Sequence, residues 1–452
     1  MRTETHLGYI LIIFAILISI WLILRTIRFG SWQENSGEEK KTTKMPKPLK
    51  PKTPDDCANC REEKGAPPKE IQPGQLPRPW NEVRNRRGRK KSISTQGYAC
   101  NNRKCAYFRV MDERVHALVG YGYHGKSERI QDLMCQACGK KLSVRRDTVL
   151  YRLKSHSEKV ALMLSLLAEG MDVSALERVA RIKEGTLRTW LTRAGMHAEK
   201  PHSHLFQELI YGHIQLDELW AGLDHKGQEM WLWVATEAKS KLIPVIAKGP
   251  RTLDLAMGVV HALVSTMSPG CLPIITTDGL KLYFYSLTAH FGNWERRDEA
   301  RKPNWQVAAE LVYGQVKKIV RRRRLVKVEH TMLWGEENDL KAGLLKLGLS
   351  GRINTAFVER LNLTIRQGVS LLVRRTWGRA KYSPELGLHL LWWRSYYHFV
   401  RYHTSLRVEF AQPIVRKGKQ IACRYRSRTP AMAAGLATRR WSVLELISIP
   451  VV

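Results

Sequence analysis

The spacing of six cysteines constrains this chain more than any other feature. Cys57 and Cys60, Cys100 and Cys105, and Cys135 and Cys138 fall in close pairs, among only eight cysteines in 452 residues. That is too few for a disulfide scaffold, and the pairing points to metal ligation in a reducing compartment. Between Cys100-x4-Cys105 and Cys135-x2-Cys138 lie 29 residues that include Phe108, Val110, Val115, Ala117, Val119 and Tyr121. Two knuckles joined by a β-rich segment predict a zinc ribbon over residues 96–152, its four thiolates closing a tetrahedral, structural Zn²⁺ site. Cys57 and Cys60 form a third knuckle without a partner pair, for which His116 or His124 would have to supply further ligands. Cys271 and Cys423 are isolated and read as inert.

Charge narrows the partner. Seventy-five Lys and Arg against 41 Asp and Glu leave a net charge of +34. Such a charge implies a polyanion, most simply nucleic acid, with an anionic membrane surface as the second option. A hydrophobic content of 44%, with 14 Trp and 15 Tyr, excludes a wholly disordered chain. Residues 7–24 carry no charge, and about 27 Å of helix would suffice for a bilayer core. A membrane helix is therefore expected within residues 1–29. Arg25 and Arg28 would leave the remainder on the cytoplasmic, nucleoid side of an inner membrane; a stray hydrophobic helix is the alternative. Residues 30–95 read as a basic, Pro-rich linker. Within it, Arg87-Gly-Arg89 suits a DNA minor groove or a solvated linker.

From 155 to 198 the periodicity is helical. Val160, Leu162, Met163, Leu166 and Leu167 recur at helical steps, and Val173, Leu176, Val179 and Ala180 share one face of a second helix capped by Asp172. After a turn holding Gly185, Thr186–Arg193 forms a third, with Leu187, Trp190 and Leu191 inward. Arg188, Thr189, Thr192 and Arg193 then point outward. Residues 153–200 thus have the pattern of a helix-turn-helix DNA-binding fold, which an ordinary small bundle shares. Beyond residue 207, strand-like runs at Ile210–Leu216, Met230–Thr236, Leu242–Ala247 and Leu272–Thr277 alternate with a helix over Thr252–Met267. These predict an α/β domain with a mixed sheet to about 410, then an extension over 411–452.

Acidic residues are scarce in so basic a chain, and two of them end strands. Asp217 closes His213–Asp217, and Asp278 closes Leu272–Asp278 with Gly279 after it. Carboxylates at neighbouring strand ends converge on one point, an arrangement that holds Mg²⁺ or Mn²⁺. Glu359, on an amphipathic helix with Ala356, Phe357, Leu361 and Leu363 able to anchor it, is the expected third ligand. Spacing alone does not choose it over Glu295, Glu299, Glu310, Glu329, Glu336 or Glu337.

Together, Gln215-Leu-Asp-Glu-Leu-Trp220, Thr277-Asp-Gly279 and Asn354-Thr-Ala-Phe-Val-Glu-Arg-Leu-Asn362 resemble bacterial insertion-sequence transposases of the Asp-Asp-Glu class. Tyr402–Arg407 and Thr429–Gly435 extend the likeness, which spans roughly residues 100–445. The resemblance implies an RNase H-like catalytic core behind a zinc ribbon and a helix-turn-helix. It implies a catalytic triad of Asp217, Asp278 and Glu359 on Mg²⁺ or Mn²⁺, and DNA ends and target as partners, with a homo-oligomer assembled on DNA and no small-molecule substrate. Arg360, Arg366, Arg321–Arg324, Arg374 and Arg375 would line the DNA path. The rival expectations are a membrane-tethered zinc and helix-turn-helix regulator with a vestigial core, and a nuclease that cuts without joining.

Overall fold

Apolar and β-branched runs become strands where one or both faces can be buried, and the computed structural model holds four sheets among the residues it describes. These residues are 97–110, 117–221, 230–295, 302–322, 324–373, 383–414 and 423–450, all within one compact unit, Gln72–Val452. An antiparallel sheet forms from β1 (Leu118–His124) and β2 (Ile130–Cys135), which lead into the second cysteine pair, and β3 (Lys141–Ser143), which follows it.

Three helices follow: α1 (Ser157–Ala168), α2 (Val173–Ala180) and α3 (Glu184–Leu205). Asp172 caps α2 by accepting the Ser174 N–H at 3.1 Å. Gly170 stands at φ +88°, where a Cβ would lie 2.0 Å from the Gln367 carbonyl oxygen, so only glycine fits between these segments. The turn before α3 rests on Arg181 in the left-handed region, while Gly185 is already helical. Leu187, Trp190 and Leu191 are buried, whereas Leu162 and Val179 are exposed.

The largest sheet contains six strands. β4 (His213–Trp220), β5 (Trp231–Glu237) and β6 (Val245–Gly249) form an antiparallel meander. After α4 (Leu253–Val264), β7 (Ile274–Asp278) returns parallel to β4. Next come α5 (Lys281–His290) and the small hairpin of β8 (Gly292–Glu295) and β9 (Asn304–Val307). β10 (Tyr313–Arg321) lies parallel to β7, and β11 (Arg324–Trp334) pairs antiparallel with β10, giving the order β11-β10-β7-β4-β5-β6. The chain continues through α6 (Glu337–Lys346), α7 (Ala356–Gly368) and α8 (Ser383–Phe399), then a ribbon of β12 (His403–Ile414) and β13 (Cys423–Arg428). It closes with α9 (Pro430–Ala433) and α10 (Val443–Ser448).

Strand alternation divides the core of this sheet. Ile214, Leu216, Trp233 and Ala235 pack on α4 and α5, while Leu219, Leu232 and Val234 pack on α7 and α8. Helix α8 is apolar on two sides. Leu386, Leu390, Trp393 and Tyr397 face the sheet, and Trp392, Tyr396 and Phe399 join the core of α1–α3. The Trp392 indole N–H also donates to the Leu164 carbonyl at 2.9 Å.

The expected fold class of a zinc ribbon, an all-α helix-turn-helix and an α/β RNase H-like domain behind an N-terminal hydrophobic helix is therefore corrected. Among the described residues no helix is long and apolar enough to cross a membrane; residues 7–24 lie outside them. The three helices do not form an all-α fold with a core of their own either, because α8 and α10 supply part of it. What the chain has is mixed α/β architecture, with ten helices among the described residues.

If that core is shared, one buried truncation must weaken the helices and the sheet together. Leu164→Ala should cost about 2–5 kcal/mol and leave a single cooperative transition, followed by far-ultraviolet circular dichroism and tryptophan fluorescence. Two separate transitions would contradict the shared core.

Candidate active site and metal centre

The four cysteines of the ribbon converge as their spacing requires. The Asn102 carbonyl accepts from the Cys105 N–H at 2.9 Å, and the Gly139 N–H donates to the Cys135 carbonyl at 2.8 Å, tightening both knuckles. Gly139 sits at φ +68°, which lets the second knuckle turn directly after Cys138. The Cys100 and Cys138 sulfurs are 3.6 Å apart and those of Cys105 and Cys135 3.8 Å, with all four within 4.8 Å of one another. A tetrahedron with metal–sulfur bonds of about 2.3 Å has edges of about 3.8 Å. The donor set therefore fits a Zn²⁺-sized ion. Burial pushes the Cys100 and Cys105 thiols up, Cys105 to about 11, and negative charge on neighbouring thiolates adds to the shift. A bound cation would offset both effects. Of the third knuckle, Cys57, Cys60 and His116 lie outside the described residues, and the His124 ring is paired with Asp132 at 2.9 Å.

The carboxylates gather where β7 ends beside β4, which itself runs on past Asp217 to Trp220, contrary to the expectation that Asp217 closes its strand. Leu216 lies beside Thr277 in the parallel pair β4–β7, so Asp217 and Asp278 emerge side by side from adjacent strands. Glu218 joins them: one carboxylate oxygen from each of Asp217, Glu218 and Asp278 lies within 4.8 Å of the others. Asp217 belongs to the strand face that meets α7, and Glu218 to the face that meets α5. The Asn362 side chain on α7 donates to Asp217 at 2.8 Å, and the Tyr283 hydroxyl on α5 donates to Glu218 at 3.1 Å. The Arg251 guanidinium is ion-paired with Glu218 and rests over the Trp231 ring at 4.9 Å. Burial, then the charges of Asp278, Glu218 and Glu359, push the Asp217 carboxyl up to about 7. Burial likewise raises Glu218 and Asp278. Oxygen donors held at this density, reluctant to ionise together, suit a divalent cation.

Glu359 reaches the same place from a helix. It stands in the first turn of α7 and lines a cleft of about 760 Å³ together with Asp217, Asp278, Arg251, Lys317 and Lys318. Its carboxylate accepts from Lys318 and from the Thr355 hydroxyl, and it is not part of the tight cluster of Asp217, Glu218 and Asp278. The anchors of α7 are Val358, Leu361 and Ile365; Ala356 and Leu363, expected to anchor it, are exposed. Glu329 and Glu337 are spent on Lys327 at 3.1 Å and Lys341 at 2.7 Å, and Glu299 lies outside the described residues.

The expected DNA-contacting residues scatter. Arg188 is tied to Glu184 and Glu385, and Arg193 donates to the Tyr151 carbonyl at 2.7 Å. The Thr189 hydroxyl donates to the Gly185 carbonyl at 2.7 Å, and Thr192 is half-buried. Arg360 is exposed beside Glu359, whereas Arg366 donates to the Trp220 carbonyl at 3.2 Å. Arg87, Arg89, Arg374 and Arg375 lie outside the described residues. Sequence reasoning passed over Glu218, Arg251, Tyr283 and Lys318. Glu218 had one available signal, its place in Gln215–Trp220, although as the neighbour of Asp217 on a strand it lies on the opposite face.

The chain matches no known protein family and no curated protein.

Two outcomes follow from this chemistry. Metal analysis of the purified chain should find one zinc fewer per chain in Cys135→Ser than in the wild type, and an unchanged zinc content would dismiss the sulfur site. With divalent cations chelated, folded Asp217 keeps its proton to about pH 7, against about 3.9 when unfolded. Between these values the folded state binds more protons, so this contribution to stability is full below about pH 4 and is lost as pH rises through 7. Asp217→Asn should thus gain stability relative to wild type from pH 5 to pH 8 in thermal melts. A difference independent of pH would refute the assignment.

Proposed function

We propose that this protein is a DNA transposase of the Asp-Asp-Glu class that binds insertion-sequence ends and carries out metal-dependent strand cleavage and transfer. The observation that carries this reading is the side-by-side emergence of Asp217 and Asp278 from parallel strands, facing a cleft that Glu359 also lines. Asp217 and Asp278 would hold Mg²⁺ or Mn²⁺, with Glu359 completing the set. Such ions would supply Lewis acidity for activating an oxygen nucleophile, water or a DNA 3′-hydroxyl, toward phosphorus.

The chain's own residues do the positioning. Asn362 holds one oxygen of Asp217 in a fixed direction, and Lys318 and Thr355 hold Glu359 at the cleft wall. Arg251 balances the buried charge of Glu218 and lowers the cost of ionising Asp278. With Lys281, Lys317 and Lys318 also on its lining, the cleft suits a polyanionic backbone better than a small apolar ligand. Cys100, Cys105, Cys135 and Cys138 would hold Zn²⁺ in a closed, structural site. DNA ends and target are the proposed partners, on which copies of the chain would assemble.

The decisive assay uses duplex DNA carrying the inverted repeats that flank the gene. Wild type should nick and join it only with Mg²⁺ or Mn²⁺. Asp217→Asn, Asp278→Asn and Glu359→Gln should each lose at least about a hundredfold in rate, several kcal/mol of transition-state stabilisation, while end binding survives. Nicks without joined products would indicate a nuclease, and binding without nicks a regulator. Near-normal cleavage by Glu359→Gln beside an inactive Glu218→Gln would transfer the third role to Glu218.

A further inference from the structure

The strands β10 and β11 run past the sheet that anchors them. β10 pairs with β7 only through Val316. From Lys317 to Arg321 it pairs with β11 alone, so a two-stranded ribbon extends about 17 Å at about 3.4 Å per residue. Arg321 lies opposite Arg324, and Arg322 at φ +47° opens the tight turn between the strands.

Register sorts the ribbon's side chains. Lys317 lies opposite Glu329, Ile319 opposite Lys327 and Arg321 opposite Arg324, so four cations share one face with a single acid. The other face carries Val320 opposite Leu325 and Lys318 opposite Val328. Lys317, Arg321, Arg324 and Lys327 are all exposed. Lys327 is paired with Glu329, while Lys317, Arg321 and Arg324 have no ion-pair partner among the described residues. On the apolar face, Lys318 turns back to Glu359 at the cleft. The cationic face thus lies on paired strands with one register irregularity between Ile319 and Val320, a few residues from the acidic cluster, and Glu329 is its one acid.

We propose that this ribbon is a duplex-DNA-binding arm whose cationic face engages DNA beside the cleft. A two-stranded ribbon has the width of a major groove, and paired arginines meet both phosphate oxygens and guanine edges. The inference rests on the DNA-binding half of the proposed function and not on its catalytic half.

The test uses the full chain and a mixed-sequence 30-base-pair duplex, with binding followed by fluorescence anisotropy across a salt series. Removing two phosphate contacts by Arg321→Ala with Arg324→Ala should flatten the log–log salt slope by about 2 and weaken binding roughly fiftyfold near 0.1 M salt. Val320→Thr with Leu325→Thr, on the opposite face, should change binding less than about twofold. All four positions are exposed, so melting temperatures should stay near wild type. An unchanged slope in the arginine variant, or a larger loss in the apolar-face variant, would overturn the arm. If the slope flattens while neither wild type nor variant cuts flanking-repeat DNA with Mg²⁺, the arm stands and the catalytic reading falls.

Discussion

The buried amide of Gln215 joins the two elements on which the acidic site depends. Its oxygen accepts the Phe357 and Val358 N–H groups at 3.0 Å each, and its nitrogen donates to the Asn354 carbonyl at 2.7 Å. The first N–H groups of a helix have no partners inside it. Here a side chain two residues before Asp217 supplies them, so the start of α7 is pinned to the strand that carries Asp217. Glu359 follows within one turn, and Asn362 closes the loop by donating back to Asp217. An apolar residue at position 215 would leave the Phe357 and Val358 N–H groups unmet, at about 1–3 kcal/mol each, and would loosen the helix that brings Glu359 to the cleft. The Asn354 carbonyl would keep the Thr276 hydroxyl at 3.3 Å.

Around that joint the charges are arranged in tension. Asp217, Glu218 and Asp278 are each pushed toward their neutral forms, first by burial. Arg251 and Lys318 offset part of the cost from the cleft side, and Tyr283 does so from within the core. A site of this kind is expensive to assemble without a cation, and such expense is typical of functional sites more than of packing. Helix α8 joins the core behind the site to the core of α1–α3, with Leu386, Leu390, Trp393 and Tyr397 in one and Trp392, Tyr396 and Phe399 in the other.

Several features were legible before any coordinates. The cysteine spacing specified two knuckles, and the carboxylate that ends β7 stands beside Asp217 as expected, although β4 runs on to Trp220 and does not end at Asp217. Other features were hidden for identifiable reasons. Glu218 looks turned away because neighbours on a strand face opposite sides, yet β7 stops at Asp278 while β4 runs on, and carboxylate oxygens of Asp217 and Glu218 both come within 4.8 Å of one on Asp278. Arg188 reads as an outward cation in Glu184–Leu205, but its partner Glu385 is 197 residues further along the chain. The burial of Trp392 and Trp393 on opposite sides of one helix depends on α1 and the sheet arriving from either side.

The division follows from the range of the interactions. Local rules, such as knuckle spacing, caps at Asp172 and Thr252, and the apolar run of β5, operate within a few residues and are written in order along the chain. Net charge is likewise a sum over the sequence and needs no fold to be read. Which carboxylates share a site, which arginines are consumed by internal partners, and that the cations of β10 and β11 gather on one exposed face are set by register and packing between distant segments. Those contacts exist only once the chain has closed its long loops, so tertiary structure alone decides them.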